Sequence, residues 1–320
     1  MKRRKFISIT AVAAPMIGMF PACLSSIDRE KVKGKIEKRS LGKTGEKLST
    51  IGFGGIVVDK ATTEEAASRV KEAIDRGINY FDVAPSYGNA EEMLGPALRP
   101  YRKDVFLACK TGERKKEGAR RELEQSLKFL ETDHFDLYQF HAVTSLEDVE
   151  TIFGPGGAME TFLEAREEGK IRYIGFSAHS VEAALALMDG FEFDTILFPF
   201  NFATWYAGNF GPQVLARAKE KEMGILALKA MAWRPWEEGE VRSNDKTWYK
   251  PLPNKEEAEK GLRFTLSHPV TAAIPPGHED LFTLALDLAE DFRPMDEREI
   301  RAIKEKAMDT KPIFSYPMQG

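Results

Sequence analysis

Short runs of apolar residues alternate with longer, charge-rich stretches along most of the chain. The apolar runs have the length of buried strands and occupy residues 49–54, 78–82, 105–110, 135–141, 173–177, 195–201, 224–229 and 271–274. The stretches between them carry apolar residues at helical spacing, most clearly at residues 63–76, 119–130, 161–168 and 255–267. This alternation predicts an α/β fold in which amphipathic helices cover a parallel sheet.

Eight strand-like runs within residues 40–320 predict a (β/α)8 TIM barrel, which typically needs about 250 residues. The competing doubly wound fold requires G-x-G-x-x-G after its first strand. The first run leads into GFGG at residues 52–55, which lacks a third glycine at the required place. We therefore predict a single barrel domain over residues 40–320. Residues 230–254 follow neither pattern and are expected to form a long loop at the barrel rim.

The first 27 residues differ in character from the rest of the chain. A basic start precedes an apolar run at residues 9–20, which is too short to cross a bilayer comfortably. The segment RRKFI, at residues 3–7, resembles a twin-arginine export signal, with an ordinary secretory signal as the alternative. We expect residues 1–27 to direct export to the periplasm and residues 28–39 to form a charged linker. Cys23 is a weak match to a lipoprotein anchoring site.

The composition narrows the range of partners. The 46 basic and 50 acidic residues give a net charge of −4, which argues against a general nucleic-acid binder. The charged fraction of 30% is that of a globular protein, and we expect no transmembrane span after the leader. The two cysteines, Cys23 and Cys109, form no CxxC pattern, so neither an iron–sulfur cluster nor another metal site is expected.

Three consecutive strand-like runs end on residues that can carry chemistry. Asp82 ends the second run, Lys110 the third and His141 the fourth, and Tyr87 follows Asp82 in the segment NYFDVAPSYG. Singly, each has an ordinary structural explanation, such as a solvated strand end or a core histidine. In a barrel, however, the carboxyl ends of the strands meet at one mouth. The shared position therefore predicts an active site.

The chain resembles the aldo-keto reductase family over essentially its whole length after the leader. The resemblance is carried by RSLGKTGEKLSTIGFGG, NYFDVAPSYGNAEEMLG, CKTG, LYQFHA and GKIRYIGFS, of which the second and the last are the most specific. It implies that Asp82, Tyr87, Lys110 and His141 form a catalytic tetrad.

The implied reaction is the NAD(P)-dependent reduction of a carbonyl to an alcohol. Tyr87 would supply the proton, although an unperturbed phenol has a pKa near ~10. A Lys110 ammonium about 4 Å away would stabilise the tyrosinate by about 4 kcal/mol at an effective dielectric of about 20, or about three pKa units. Asp82 would keep Lys110 charged. His141 would donate a hydrogen bond to the substrate oxygen.

The resemblance also implies a nicotinamide cofactor over the barrel mouth. Ser177 matches the serine that helps to hold the carboxamide, but the asparagine that usually follows it is Ala178. His179 could replace that asparagine or simply begin a helix. The usual glutamine on the sixth strand is Leu197. Lys229, at the end of the seventh run, is predicted to join the cofactor site.

The segment IPPGHEDLF resembles the phosphate-binding turn of the family, with Pro275 and Gly277 as its predicted contacts. The turn lacks the basic residue that often binds the 2′-phosphate, since no lysine or arginine occurs between residues 265 and 292. The resemblance therefore favours NADP but leaves NAD open.

All four tryptophans follow the sixth and seventh runs. We expect Trp233 and Trp236, which lie nearest the seventh run, to form an aromatic wall for a small carbonyl compound or a sugar. Two other functions remain open at this point. One is a nucleotide-binding redox sensor or accessory protein, and the other is an epimerase that retains a tightly bound cofactor.

Overall fold

The computed structural model describes residues 35–242 and 245–317. The predicted export signal, Cys23 and most of the predicted linker lie outside the described residues. No helix within the described ranges combines the length and the apolar character that crossing a membrane requires.

Within these ranges, eight parallel strands form the barrel, and four further strands form two antiparallel hairpins. The barrel strands are β3 (Phe53–Gly54), β4 (Tyr80–Asp82), β5 (Phe106–Thr111), β6 (Phe135–Val143), β7 (Ile171–Ala178), β8 (Thr195–Pro199), β9 (Gly224–Leu228) and β12 (Ala272–Ile274). The hairpin strands are β1 (Lys38–Ser40), β2 (Lys47–Ser49), β10 (Ala232–Pro235) and β11 (Tyr249–Pro251).

The barrel strands pair in chain order from β3 to β9, and β12 follows β9. A parallel bridge between Ile51 and Ala273 joins the two ends of this sheet. The amide of Gly52 donates to the carbonyl of Ala273 at 3.0 Å, and the amide of Ala273 donates to the carbonyl of Thr50 at 2.9 Å. The sheet therefore closes, which confirms the predicted (β/α)8 barrel.

Helices pack around the outside of the barrel. In the described ranges they are α1 (Thr63–Asp75), α2 (Ala90–Leu98), α3 (Lys116–Phe129), α4 (Leu146–Phe153), α5 (Ala158–Glu167), α6 (Val181–Gly190), α7 (Phe202–Tyr206), α8 (Pro212–Glu220), α9 (Lys255–Ser267), α10 (Glu279–Glu290) and α11 (Glu297–Met308). Helix α1 illustrates the local rules, because Thr62 and Glu65 form a capping box at its start. Its buried residues Ala66, Val70 and Ala73 recur at helical spacing and face the sheet.

The core has two layers. A large cluster lies between the strands and the helices, and a smaller one fills the barrel interior around Tyr80, Phe106 and Leu137. Leu41 and Leu48, from the β1–β2 hairpin and its turn, belong to the interior cluster and are fully buried. The hairpin therefore closes the amino-terminal end of the barrel and leaves the opposite end open for a site.

Two segments differ from the sequence prediction. Ile36 is buried and β1 begins at Lys38, so the described structure already has a core residue and a strand inside the predicted linker, residues 28–39. The region predicted as an irregular loop, residues 230–254, contains the antiparallel pair β10–β11. This pairing joins residues more than a dozen positions apart, which a local apolar pattern does not report.

Candidate active site

A buried ion pair connects β4 and β5 at the mouth of the barrel. The Lys110 ammonium donates to Oδ1 of Asp82 and, at 3.1 Å, to the carbonyl of Val83. Both side chains are almost completely buried, at 0% and 2% exposure. Burial disfavours the charge of Lys110, but the interactions with Asp82 and Tyr87 together outweigh this effect and raise the pKa of Lys110 to about 12. Lys110 is therefore a fixed cation.

The second oxygen of Asp82 is held from both sides. The hydroxyl of Tyr80 and the side-chain amide of Gln139 each donate to Oδ2 at 3.1 Å. Tyr80 precedes Asp82 by two residues, and Gln139 precedes His141 by two, so the alternation of a strand points each pair to the same face. The sequence analysis missed Tyr80 and Gln139, although this spacing could have identified them.

Tyr87 and His141 lie next to this ion pair. The Lys110 nitrogen lies 5.1 Å from the centre of the Tyr87 ring. The rings of Tyr87 and His141 meet edge to face, with their centres 5.6 Å apart. The structure thus brings all four residues of the predicted tetrad together at one mouth.

The ionisation of Tyr87 differs from the sequence expectation. Burial of the phenol exceeds the effect of the Lys110 charge, so the pKa of Tyr87 is raised above its ordinary value instead of falling towards neutrality. The expected decrease treated Lys110 in isolation. In the structure the nearby Asp82 charge also opposes ionisation of the phenol.

His141 is a neutral imidazole. Burial and the Lys110 charge lower its pKa to about 2. The Ser86 hydroxyl lies 3.4 Å from Nδ1. If the hydroxyl donates to Nδ1, the proton of the ring is on Nε2 and can be donated to a ligand.

The predicted carboxamide residues lie beside His141. Strand β6 has an irregular register between Phe140 and Val143, and the amide of Ala142 donates to the Ser177 hydroxyl oxygen at 2.7 Å. The hydroxyl proton of Ser177 is left for a ligand. The imidazole of His179 stacks on Phe314, with ring centres 5.3 Å apart, and its buried Nε2 has no hydrogen-bond partner in the described ranges.

Lys229 follows β9 and reaches the same cavity. Its ammonium lies 5.4 Å from the ring centre of Trp248 and 4.9 Å from that of Tyr249. Lys229 forms no ion pair with any described carboxylate, and burial lowers its pKa to about 8. Its backbone has a φ of 66°, a strained conformation for a non-glycine residue. A desolvated cation without a counter-charge is costly unless an anionic ligand accompanies it.

The predicted phosphate turn follows β12, the strand that pairs with β9. Pro275, Pro276 and Gly277 line it. A Cβ on Gly277 would lie 2.2 Å from Cγ2 of Ile56, so this position has no room for a side chain. At Gly277 the cavity is therefore lined by backbone atoms and not by a side chain.

The two tryptophans predicted to contact substrate do not line the cavity. Trp233 packs against the core, and the centre of its ring lies 4.9 Å from the guanidinium carbon of Arg234. Nε1 of Trp236 donates a hydrogen bond to the carbonyl of Thr247 at 3.4 Å. The β10–β11 hairpin carries the chain away from the mouth and back. Trp248 and Tyr249, on its returning side, line the cavity instead.

The cavity has a volume of about 220 Å³. Its wall includes the tetrad, the predicted cofactor residues and part of the hairpin: Gly54, Ile56, Asp82, Tyr87, Lys110, His141, Ser177, His179, Leu197, Leu228, Lys229, Lys246, Thr247, Trp248, Tyr249, Ile274, Pro275, Pro276 and Gly277. The sequence analysis missed Lys246–Tyr249, although two aromatic residues beside lysines in the segment KTWYK were an available signal.

Comparison with known proteins agrees with this arrangement. Residues 50–281 match the model of the aldo/keto reductase family. The uncharacterized oxidoreductase YqkF of Bacillus subtilis is 26% identical over 300 residues, which cover 84% of this chain and 96% of YqkF. The aldo-keto reductase YhdN of the same organism is 31% identical over 245 residues, covering 68% of this chain and 71% of YhdN.

A plant relative and a solved structure extend this likeness. The L-galactose dehydrogenase of Arabidopsis thaliana is 29% identical over 218 residues, covering 62% of this chain and 66% of that protein. The holo structure of aldo-keto reductase AKR11C1 from Bacillus halodurans has the same fold, with a TM-score of 0.68 and 24% identity, covering 88% of this chain and 99% of that one. Because the family model spans most of the barrel, this chain belongs to the aldo/keto reductase family of oxidoreductases.

Proposed function

We propose that the protein reduces a small carbonyl compound to an alcohol with a nicotinamide cofactor, and that Tyr87 is the proton donor. The observation that carries this proposal is the convergence of Tyr87, His141 and the Lys110–Asp82 pair on one cavity. A reduced nicotinamide supplies the hydride when it is bound, since no side chain can do so. The protein must position the carbonyl and deliver a proton to its oxygen.

Tyr87 suits the role of acid even with a raised pKa. The product alkoxide is far more basic than a phenolate, because its conjugate acid has a pKa near that of water, about 16. Proton transfer from Tyr87 is therefore downhill once the alkoxide develops. The Lys110 cation stabilises the tyrosinate that remains.

Asp82 has a supporting role. It keeps Lys110 charged in a buried site, where an unpaired ammonium would lose its proton. Tyr80 and Gln139 fix the orientation of the carboxylate. The neutral His141 donates a hydrogen bond to the substrate oxygen and aligns it with Tyr87.

The mouth of the barrel fits an elongated, anionic cofactor. The Ser177 hydroxyl lies at the end of β7, and the Lys229 ammonium and the backbone around Gly277 follow the neighbouring strands β9 and β12. We propose that Ser177 binds the carboxamide together with His179, which takes the place of the absent asparagine. The unpaired Lys229 cation neutralises the pyrophosphate. The 275–277 turn holds the adenosine half.

We place the substrate beside Trp248 and Phe314. Trp248 is 48% exposed, and the centres of the two rings lie 5.5 Å apart. Flat aromatic faces suit the apolar face of a sugar ring or an aromatic aldehyde. The name of the plant relative, L-galactose dehydrogenase, supports a sugar.

The test uses the purified full chain and the absorbance of the reduced nicotinamide. Carbonyl compounds, including aldoses and aromatic aldehydes, are added to protein with NADPH or NADH. We expect oxidation of the nucleotide in proportion to the alcohol formed. Binding of nucleotide without oxidation by any carbonyl would favour a redox sensor. Conversion of a sugar with no net change in absorbance would favour an epimerase.

A further inference from the structure

One peptide unit at the end of β6 is held by side chains on both of its sides. The carbonyl of His141 accepts a hydrogen bond from Nη2 of Arg114 at 2.8 Å. On the other side of the same peptide bond, the amide of Ala142 donates to the Ser177 hydroxyl oxygen at 2.7 Å. This peptide therefore links His141, the proposed donor to the substrate, with Ser177, the proposed contact of the carboxamide.

The peptide lies where β6 departs from the regular sheet. The register between β5 and β6 ends at Phe140. Towards β7, the register shifts between Phe140 and Val143, where two residues of β6 lie opposite one residue of β7. Ala142 has a φ of 51°, a conformation that a non-glycine residue keeps only where its surroundings fix it. The position of the His141 side chain therefore depends on the groups that hold this peptide.

Arg114 is itself held in place from several directions. Its Nε lies 3.2 Å from Oδ1 of Asp148, in the first turn of α4, and its Nη1 donates to the carbonyl of Gly112 at 3.1 Å. Its own carbonyl accepts a hydrogen bond from the amide of Ala158 at 2.9 Å. The side chains of Arg114 and Asp148 are only 16% and 25% exposed. The planar guanidinium therefore has a fixed direction in which it donates to His141.

The pair of Arg114 and Asp148 also acts on the charge of the imidazole. Although burial opposes ionisation of Asp148, the Thr144 amide and the Arg114 guanidinium lower its pKa, so it is a carboxylate at neutral pH. Burial and the Lys110 charge have the largest effects on His141, and the Arg114 charge lowers the pKa of His141 in the same direction. Arg114 thus favours the neutral ring, which carries one N–H donor.

We propose that Arg114 is a positioning residue for His141, because it holds the 141–142 peptide and so orients the imidazole towards the substrate oxygen. This inference rests on the proposed function, in which His141 donates to that oxygen. Arg114 is not part of the cavity wall, so it acts through His141 and not on the substrate. A donor misplaced by about 1 Å can reduce a rate by about 100-fold, so Arg114 should affect kcat more than binding.

A double-mutant cycle on the purified full chain tests this role. Arg114→Met should lower kcat by about 10–100-fold and change the KM of the substrate by less than about threefold. In the His141→Ala background, the same change should lower kcat by less than about twofold, because the residue through which Arg114 acts is already gone.

Arg120→Met is the matched control. Arg120 is also a largely buried arginine, with 23% exposure, and it is paired with Glu164 and Glu168 on the outside of the barrel. Its replacement removes comparable ion pairs without touching the 141–142 peptide. We expect kcat to stay nearly unchanged in both backgrounds.

The ring signals of His141 give a measurement that needs no substrate. In 15N-edited NMR spectra, these signals are the ones missing from His141→Ala. We expect them to shift or broaden in Arg114→Met and to keep their positions in Arg120→Met. Arg114→Lys retains the charge beside Asp148 but not the planar fork, so it should fold and show the same change. This variant carries the test if Arg114→Met does not fold.

Additive losses of kcat in the two backgrounds, or His141 signals that stay in place in both Arg114 variants, would overturn this inference. If the unmodified protein reduced no carbonyl compound, the proposed function itself would be wrong. The NMR comparison would then still decide whether Arg114 orients the imidazole.

Discussion

The Lys110 ammonium and the Asp82 carboxylate form a hydrogen-bonded ion pair at a point of the barrel that water does not reach. Tyr80 and Gln139 complete the shell of the carboxylate, and the Tyr87 ring lies against the cation. The charge next to the proposed proton donor is thus set by buried groups. It does not depend on flexible surface side chains.

We expect Tyr87→Phe to abolish carbonyl reduction while cofactor affinity stays within about twofold, because this change removes only the proton donor. The loss in turnover should be at least 100-fold, the usual contribution of a positioned acid. Turnover and nucleotide titration measure the two quantities. Tyr80→Phe is the matched control, since it removes one hydrogen bond to Asp82 and keeps the donor. Comparable turnover in the Tyr87 and Tyr80 variants would contradict the assigned mechanism.

Lys110→Met should destabilise the protein by about 3–5 kcal/mol, because the buried Asp82 carboxylate loses its counter-charge. The double variant Asp82→Asn, Lys110→Met should recover much of this loss, since both charges are gone. Urea unfolding of the three proteins gives the free energies. A double variant no more stable than Lys110→Met would show that the charge pair is not the cause.

The same pair predicts a stability change at alkaline pH. The pKa of Lys110 rises from 10.5 to about 12 on folding, a shift worth about 2 kcal/mol. This contribution is complete below pH 10.5 and is lost as the pH rises through 12. Between pH 9 and pH 12, the free energy of unfolding should therefore fall more steeply in the unmodified protein than in the double variant. If the free energy of unfolding fell equally with pH in both proteins, the titration of Lys110 would not contribute to stability.

Lys229→Met should affect stability and cofactor binding in opposite directions. Burial lowers the pKa of Lys229 from 10.5 to about 8, so at pH 7 the folded protein contains a charge that it disfavours. Its removal should raise the Tm by about 2–4 °C and weaken binding of both nucleotides. In the unmodified protein, affinity should fall as the pH rises above 8 and the ammonium loses its proton. Unchanged affinity in Lys229→Met would remove this residue from the cofactor site.

Trp248→Ala should raise the KM of the substrate at least several-fold and change the Tm little, because Trp248 is half exposed at the cavity. Trp233→Ala is the matched control on the same hairpin. Trp233 packs against the core, so its removal should lower the Tm and leave the KM nearly unchanged. The reverse pattern would restore the aromatic wall predicted from the sequence.

The sequence by itself determined the barrel and the positions of the tetrad. Strand length, helical spacing and strand order are local or sequential properties, and the residues that end consecutive parallel strands must meet at one mouth. Asp82, Lys110 and His141 could therefore be assigned before any coordinates were known. The segment NYFDVAPSYG added Tyr87 through its family resemblance.

Only the tertiary structure decided the charges and the outer wall of the site. Burial, which depends on all surrounding elements, raises the pKa of Tyr87 despite the nearby cation. The return of the chain through β10 and β11 places Trp248 and Lys246 at the cavity and Trp233 away from it. Such contacts join residues far apart in sequence, so no local pattern contains them. The same holds for Arg69 and Lys246. They lie 177 positions apart in the sequence, yet both donate a hydrogen bond to the carbonyl oxygen of Val57.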